Sequence, residues 1–226
     1  MTLGSYPVFP LRNPCFPGHK IPLRVFEDRY VQMLKDIADK PFFVISMISS
    51  GDEVGVTATP YRVGTLVEFD TIDRQGDFQI IKPKGRHRVY LETFDRESKP
   101  YLMATCNEYA DESDTATGAV GAGSAGSEAT GAGAVQQGKG KGAPSPDRLP
   151  ELEANILKMA TVLGPEESRA IRDVMEAVRT DMDRENFSLF LCGCLYLPPI
   201  YLQRLLESRS LPYRMENALN LLSQSE

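Results

Sequence analysis

The sequence contains no tryptophan, only two histidines in 226 residues, and only four cysteines, Cys15, Cys106, Cys192 and Cys194. So few cysteines at irregular spacing exclude the disulfide framework of a small secreted protein. No apolar run approaches the roughly 20 residues of a membrane-spanning helix, and residues 1–12 lack the basic and apolar regions of a signal peptide. These absences predict a reduced, cytoplasmic protein without a membrane segment.

Basic residues are also fewer than acidic ones: the sequence has 25 basic and 31 acidic residues, which gives a net charge of −6. Residues 1–110 are balanced, with 14 residues of each sign, so the excess of acid lies in the rest of the chain. An acidic protein repels phosphate groups, which argues against general binding to nucleic acid or to anionic membranes.

Residues 111–147 lack leucine, isoleucine, phenylalanine, tyrosine and methionine, and consist mainly of glycine, alanine, serine and threonine. Such a stretch cannot bury enough apolar surface to offset the entropy of ordering, so it predicts a flexible linker. The linker divides the chain into a β-rich segment, residues 1–110, and a helical segment, residues 148–226.

The β-rich segment is predicted to contain several strands and one helix. Phe42–Ile48 is a short apolar run, and residues 61–72 alternate, with one face made of Tyr61, Val63, Thr65, Val67 and Phe69. Two further β-type runs carry His87, Val89, Leu91 and Thr93, and then residues 100–109. Helical spacing joins Phe26, Tyr30, Met33, Leu34 and Ile37. This pattern favours an α+β fold with a curled antiparallel sheet or small barrel.

The helical segment predicts five helices in a bundle. The first has its apolar face at Leu152, Ile156, Met159, Ala160 and Leu163, and Gly164 can end it. Pro165 suits the start of the second helix, whose face is Ile171, Val174, Met175 and Val178. The last three are predicted over Phe187–Leu197, Pro199–Glu207 and Pro212–Ser223.

Two groups of motifs resemble one known family. Near the start stand YPVFPLRN (6–13), FPG (16–18) and IPLRVFEDRY (21–30), followed by VGTL (63–66), GRHRV (85–89) and PYLMA (100–104). Near the end stand Leu197-Pro198, then QRLLE (203–207), and a segment from Arg214 to Leu222. Together they resemble the amino-terminal substrate-recognition domain of Lon proteases across nearly the whole chain outside the linker.

The resemblance implies a PUA-like β pseudo-barrel followed by a helical bundle, in a protein that recognises unfolded or tagged polypeptides, with a protease or chaperone as a further partner. Neither the ATPase nor the peptidase region of Lon is present in these residues, so we expect no catalytic activity and no cofactor. The signature residues that are candidates for binding are Phe16, Pro17, Gly18, Pro22, Phe26, Glu27, Arg29 and Tyr30.

Several of the signature residues are expected to have structural roles. Pro17 and Gly18 form a turn dipeptide, and Pro22 favours extended backbone before it. Glu27 and Arg29 are two residues apart and do not face each other on a helix. We therefore expect each of these two side chains to hold a different neighbouring strand or loop.

Three catalytic or metal-binding motifs fail on inspection. The segment from Gly133 to Lys139 mimics a phosphate-binding loop, but Gly140 follows where serine or threonine would hold magnesium. Ser124 lies in the predicted linker, which supplies neither a base nor an oxyanion hole. Cys192 and Cys194 have no second cysteine pair nearby, so buried thiols are favoured over a zinc site.

An alternative function rests on Lys82, Lys84, Arg86 and Arg88, whose spacing by two places all four on one side of an extended strand. Such a stripe would suit RNA or a nucleotide. Its other interpretation is the solvated face of an antiparallel sheet, since no stacking aromatic residues accompany the basic ones.

Overall fold

A computed structural model describes residues 1–53, 58–70, 72–76, 78–112, 147–160 and 165–224. Its strands are β1 (Thr2–Leu11), β2 (Leu23–Val25), β3 (Phe42–Ser50), β4 (Thr59–Pro60), β5 (Val63–Glu68), β6 (Ile72–Gln75), β7 (Phe78–Ile81), β8 (Lys84–Asp95) and β9 (Met103–Glu108). Its helices are α1 (Asp28–Asp36), α2 (Leu149–Ala160), α3 (Pro165–Asp181), α4 (Arg184–Gly193), α5 (Pro199–Glu207) and α6 (Leu211–Ser223).

Five strands close into a barrel in the order β1-β9-β8-β5-β3, because β1 also pairs with β3. That closing pair is parallel, and the other four pairings around the ring are antiparallel. Alternate residues point into the barrel, where branched and small side chains form its core: Val8, Val44, Leu66, Val89, Leu91, Ala104 and Cys106. The predicted α+β fold with a mostly antiparallel barrel is confirmed.

A second sheet, in the order β2-β7-β6, and helix α1 cover one outer face of the barrel. Tyr30, Met33 and Leu34 are buried on the inner face of α1, as their spacing predicts. The other two predicted face residues lie outside this helix, because Glu27 has extended backbone at its N-cap and Ile37 is its C-cap. Phe26 therefore precedes the helix.

The carboxy-terminal helices bury a separate apolar cluster that includes Leu152, Phe187, Leu191, Leu206 and Met215. Asp183 caps α4 by accepting from the Asn186 amide at 2.8 Å, and Ser210 occupies the same position before α6. Helix α5 has the predicted bounds, whereas α4 ends at Gly193 and leaves Cys194 exposed. The predicted face residue Val174 is exposed, and Leu163 and Gly164 lie outside the described residues. Among the helices described, none is long and apolar enough to span a membrane.

The helices pack on the outer side of β5 and β8. Val63 and Phe16 belong to the helical cluster, and the Gln203 side-chain amide donates to the Val63 carbonyl at 3.0 Å. Strand β5 is consequently buried on both sides, which differs from the predicted alternation of buried and exposed residues. The two predicted segments share one continuous junction, called here the barrel–helix junction.

Candidate functional site

The amino-terminal signature divides into two parts with different surroundings. Phe16, Pro17 and Gly18 lie at the barrel–helix junction, where Phe16 is only 3% exposed. Pro22 and Phe26 lie at the surface, and Phe26 is 53% exposed. The two parts are therefore assigned separately.

The turn at residues 16–18 locks the amino-terminal segment against both β8 and α4. Gly18 has φ +84, a conformation that favours glycine, and its amide donates to the Gly85 carbonyl at 2.9 Å. His19 donates from Nε2 to the carbonyl of Phe190 in α4 at 2.9 Å. A side chain at Gly85 would overlap the Phe16 carbonyl oxygen, so this contact requires glycine. The predicted turn is confirmed, and its visible role is structural.

A cavity of about 240 Å³ runs beside β2 and is lined by residues 22–27 together with Phe9, Leu11, Tyr30 and Glu53. We call it the β2 groove. Its floor is apolar, since the Phe9 and Tyr30 rings stack with centroids 4.0 Å apart. Burial raises the pKa of Tyr30 to about 12. An apolar floor with an exposed phenylalanine at its rim is typical of a binding surface.

Glu27 and Arg29 form an ion pair with each other at 2.9 Å, which shows that the predicted assignment to different neighbours is wrong. The reason is the start of α1. Glu27 is the N-cap residue, with φ −74 and ψ 132, so the helical spacing that separates residues two apart does not apply to it. The Arg29 guanidinium also lies over the Tyr30 ring, 4.6 Å from its centroid, and Glu27 and Tyr30 both line the β2 groove.

The predicted one-sided basic stripe is wrong, because β8 contains a bulge. Lys84 lies opposite Glu68 and Arg88 lies opposite Thr65 on β5, so four steps on β8 match three on β5. Arg86 is the extra residue. Since side chains alternate, three steps along β5 put Glu68 and Thr65 on opposite faces, and Lys84 and Arg88 are separated in the same way.

The remaining stripe residues do not form a common surface either. Lys82 precedes β8, and the Arg86 guanidinium is paired with the Glu68 carboxylate. Arg88 is buried beneath the helices. The structure therefore gives no support to an RNA-binding or nucleotide-binding surface built from these four residues.

Arg88 instead anchors a buried charge cluster that the sequence did not predict. Its guanidinium donates to Asp111 at 2.6 Å and to Glu185 at 2.7 Å, and to the carbonyls of Leu206 and Ser208 at 2.9 and 2.6 Å. No local pattern indicates these contacts, because the partners lie between 23 and 120 residues away in the chain. They fasten β8 to α4 and to the end of α5.

Arg214 of α6 completes the cluster by donating to both oxygens of Asp111. Both guanidinium groups are fully buried, so loss of Asp111 would take from Arg214 the carboxylate it pairs with, at a cost of about 3–5 kcal/mol, while Arg88 would keep Glu185. Asp111 is the first residue of the predicted linker, and its bonds to Arg88 and Arg214 fix its position. Asp147, at the other end of that stretch, pairs with Arg184 at 2.5 Å. The rest of the predicted linker, residues 113–146, lies outside the described residues.

Comparison with known proteins identifies the family. The sequence model of the ATP-dependent protease La (LON) substrate-binding domain matches residues 5–224. The chain belongs to this family. A search of curated proteins found no match to the sequence.

Two solved structures share the fold of this Lon-family chain. The Lon N-terminal domain protein from Xanthomonas campestris has a TM-score of 0.57 at 19% identity, over 96% of this chain and 98% of its own. The N terminal domain of Mycobacterium avium complex Lon protease has a TM-score of 0.60 at 14% identity, over 98% and 100%. The likeness confirms the predicted architecture of barrel and helices.

The cysteines of this Lon-family chain are poorly suited to nucleophilic chemistry. Burial raises the pKa of Cys15, Cys106 and Cys192 to about 12, which keeps these thiols protonated near pH 7. Within the described ranges, no three histidine, cysteine or acidic side chains come together in a way that could hold a metal. Ser124 and the Gly133–Lys139 segment lie outside those ranges.

A second, larger cavity of about 510 Å³ lies in the helical part of the Lon-family chain. Its lining combines polar and charged residues with Met159, Leu219 and Leu222, and more of its surface is apolar than polar. Tyr196, which is 96% exposed, stands at its edge. Residues of the amino-terminal signature do not line this cavity, whereas Leu219, Asn220 and Leu222 of the carboxy-terminal family motif do, which makes it an internal comparison for the β2 groove.

Proposed function

We propose that this chain is a non-catalytic module that recognises unfolded or tagged polypeptides and holds them in the β2 groove, as an adaptor or weak holdase in protein quality control. Family membership supports binding as the function, because the matched sequence model is that of a substrate-binding domain. The observation that supports the β2 groove as the binding site is the exposed Phe26 side chain, which lies beside an apolar floor formed by Phe9 and Tyr30.

Phe26 has a simple energetic reason to contact a ligand. A phenylalanine presents roughly 200 Å² of surface, so covering its exposed half removes about 100 Å² from water and contributes about 2 kcal/mol. Folded proteins keep their apolar side chains inside, whereas unfolded or damaged segments expose them. A groove of this character therefore distinguishes an unfolded chain from a folded one.

The proposal is tested with one model polypeptide in two states. A fluorescent, reduced and alkylated protein that cannot refold serves as the unfolded ligand, and its native disulfide-bonded form serves as the comparison. Fluorescence anisotropy should show binding of the unfolded form only. Changing Phe26→Asp should weaken that binding at least about tenfold, since a carboxylate replaces roughly 1.4 kcal/mol or more of apolar contact.

The matched control is Tyr196→Asp, which changes a more exposed aromatic residue beside the other cavity. It should leave the affinity within about twofold of the unchanged chain. Equal loss in both variants would place recognition outside the β2 groove. Failure of the unchanged chain to bind the unfolded ligand, or peptidase or ATPase turnover by the pure protein, would contradict the proposed function.

A further inference from the structure

The backbone of β2 has one edge paired with β7 and one edge turned away from it. The Ile21 amide donates to the Pro83 carbonyl at 3.1 Å, just before β2. Leu23 and Val25 continue in the same antiparallel register. In an antiparallel strand, the backbone N–H and C=O groups of successive residues point alternately to one neighbouring strand and away from it. Those of Leu23 and Val25 therefore point to β7. The N–H and C=O groups of Arg24 point away from β7.

The edge turned away from β7 faces the β2 groove. Leu23 and Val25 have buried side chains, whereas Pro22, Arg24 and Phe26 are exposed, as expected for a strand with two different faces. All of residues 22–27 nevertheless line the same cavity. A cavity lined by consecutive residues of both parities is the arrangement expected along the edge of a strand, because side chains over one face come only from alternate residues.

We propose that the bound polypeptide adds to this edge as an extra β-strand, hydrogen bonded to the N–H and C=O groups of Arg24. The proposal rests on the proposed function and defines its substrate class as extended polypeptide. A strand placed about 4.8 Å from β2 occupies the groove, with its alternate side chains over the Phe9–Tyr30 floor. Recognition through the backbone explains how one short site can accept unfolded chains of different sequence.

The charges at one end of the groove further define the occupant. Glu27 and Glu53 line the cavity. Their cationic partners are Arg29, at 2.9 Å from Glu27, and Arg12, at 3.7 Å from Glu53 and 3.6 Å from Asp52. The charged residues that line the groove are Glu27, Glu53 and Arg24, and the Arg24 guanidinium is directed to Phe78, so the groove favours an apolar segment that carries lysine or arginine rather than acid.

The Arg24 side chain leaves the edge accessible, because it is drawn to the outer face. Its guanidinium stacks on the ring of Phe78 in β7, 3.8 Å from the ring centroid. Among the described residues, the backbone groups of Arg24 have no hydrogen-bond partner, and they can be changed independently of this stacking contact, which provides a direct test.

The first arm of the test uses N-methylated peptides. The parent is a fluorescent eight-residue peptide of alternating valine and polar residues with one lysine, whose apolar face fixes the register. Two forms carry N-methyl groups on either the odd or the even residues. One form should bind at least about tenfold more weakly, because its methyl groups replace the N–H groups facing β2, and the other should bind within about threefold of the parent.

Each outcome of this arm has a distinct meaning. If both N-methylated forms bind as tightly as the parent, the peptide is held by its side chains, and strand addition is wrong while the proposed function stands. If the parent does not bind while the alkylated, unfolded polypeptide does, strand addition is wrong and the proposed function stands. If neither binds, the proposed function fails as well. A peptide with glutamate in place of the lysine should bind more weakly, and tighter binding of that peptide would contradict the assigned charge preference.

The second arm changes the protein. Arg24→Pro removes the Arg24 N–H, which points away from β7, while leaving the bonds of Leu23 and Val25 to β7, since a strand at the edge of a sheet accepts proline where its N–H points away from the partner strand. Arg24→Val removes the same side chain but keeps the N–H. Peptide affinity should be at least about tenfold lower in Arg24→Pro than in Arg24→Val, because the two variants lack the same side chain and differ in the backbone N–H. Equal affinities in a folded Arg24→Pro would overturn the proposal, and the N-methylated peptides decide the question if this variant does not fold.

Discussion

Two phenylalanines of the amino-terminal signature have different surroundings: Phe16 in the FPG turn and Phe26 in the segment that follows it. Phe16 is sealed between the barrel and the helices. Phe26 lies at the rim of the β2 groove with half of its surface exposed. Both belong to the motif by which the sequence resembles its family, so a shared motif does not imply a shared role.

The difference follows from what each backbone segment contacts. The first segment is fixed by Gly18, whose amide bonds to β8, and by His19, whose ring bonds to α4. Burial of Phe16 stabilises the fold, because this side chain packs between the barrel and the helices. Among the described strands, the second segment pairs with β7 alone, and Phe26 follows it just before α1 begins. Such a position stabilises the fold little and leaves the side chain available for a ligand.

The largest expected effect separates the two phenylalanines. Phe16→Ala should lower the free energy of unfolding by about 3 kcal/mol, because it leaves a cavity in a packed core. Phe26→Ala, the matched change at the exposed position, should lower it by less than about 0.5 kcal/mol. Urea denaturation followed by circular dichroism measures both values. Similar losses in the two variants would mean that Phe26 is packed in solution and would remove the basis of the comparison.

A smaller effect concerns pH and tests the junction alone. Burial lowers the pKa of His19 below its ordinary 6.5, and the hydrogen bond to Phe190 offsets this in part. The folded state therefore keeps the imidazole neutral while the unfolded chain takes up a proton below about pH 6.5. This contribution to stability is complete above pH 6.5 and is lost as the pH falls from 6.5 towards the lowered value in the fold.

The urea midpoint of the unchanged chain should accordingly be lower at pH 5.5 than at pH 7.5, and His19→Gln should reduce the difference. His87, whose pKa is also lowered by burial, gives the comparison variant His87→Gln. Binding of an unfolded polypeptide to the folded protein should change little over this range, since neither histidine lines the β2 groove. An identical pH dependence with and without His19 would show that the ring is not held neutral.

Much of the architecture could be predicted from the sequence, because periodicity reports which residues share a face. The spacing of Tyr30, Met33 and Leu34 gave the buried face of α1, and Pro199–Glu207 gave the bounds of α5. The β-type runs and the family motifs together indicated the barrel. These features depend on neighbours within one turn or one strand.

The errors arise where one residue changes the local phase or where the partner is distant. A single extra residue in β8 moves Arg88 to the face opposite Lys84 and into the buried charge cluster. The start of α1 at Asp28, rather than before Phe26, exposes Phe26 and lets Glu27 meet Arg29. Neither a bulge nor a helix start has a decisive signal in these residues, so the groove itself emerged only from the structure.

The most direct test of the account is a titration of the isotope-labelled full chain with the alkylated, unfolded polypeptide, followed by amide chemical shifts. We expect amide chemical-shift changes that saturate at residues 9–11 and 22–27, with little change around Met159, Tyr196 and Leu222 at the second cavity. Saturating shifts confined to the second cavity, or none at all, would contradict the claim that this chain binds polypeptides along β2.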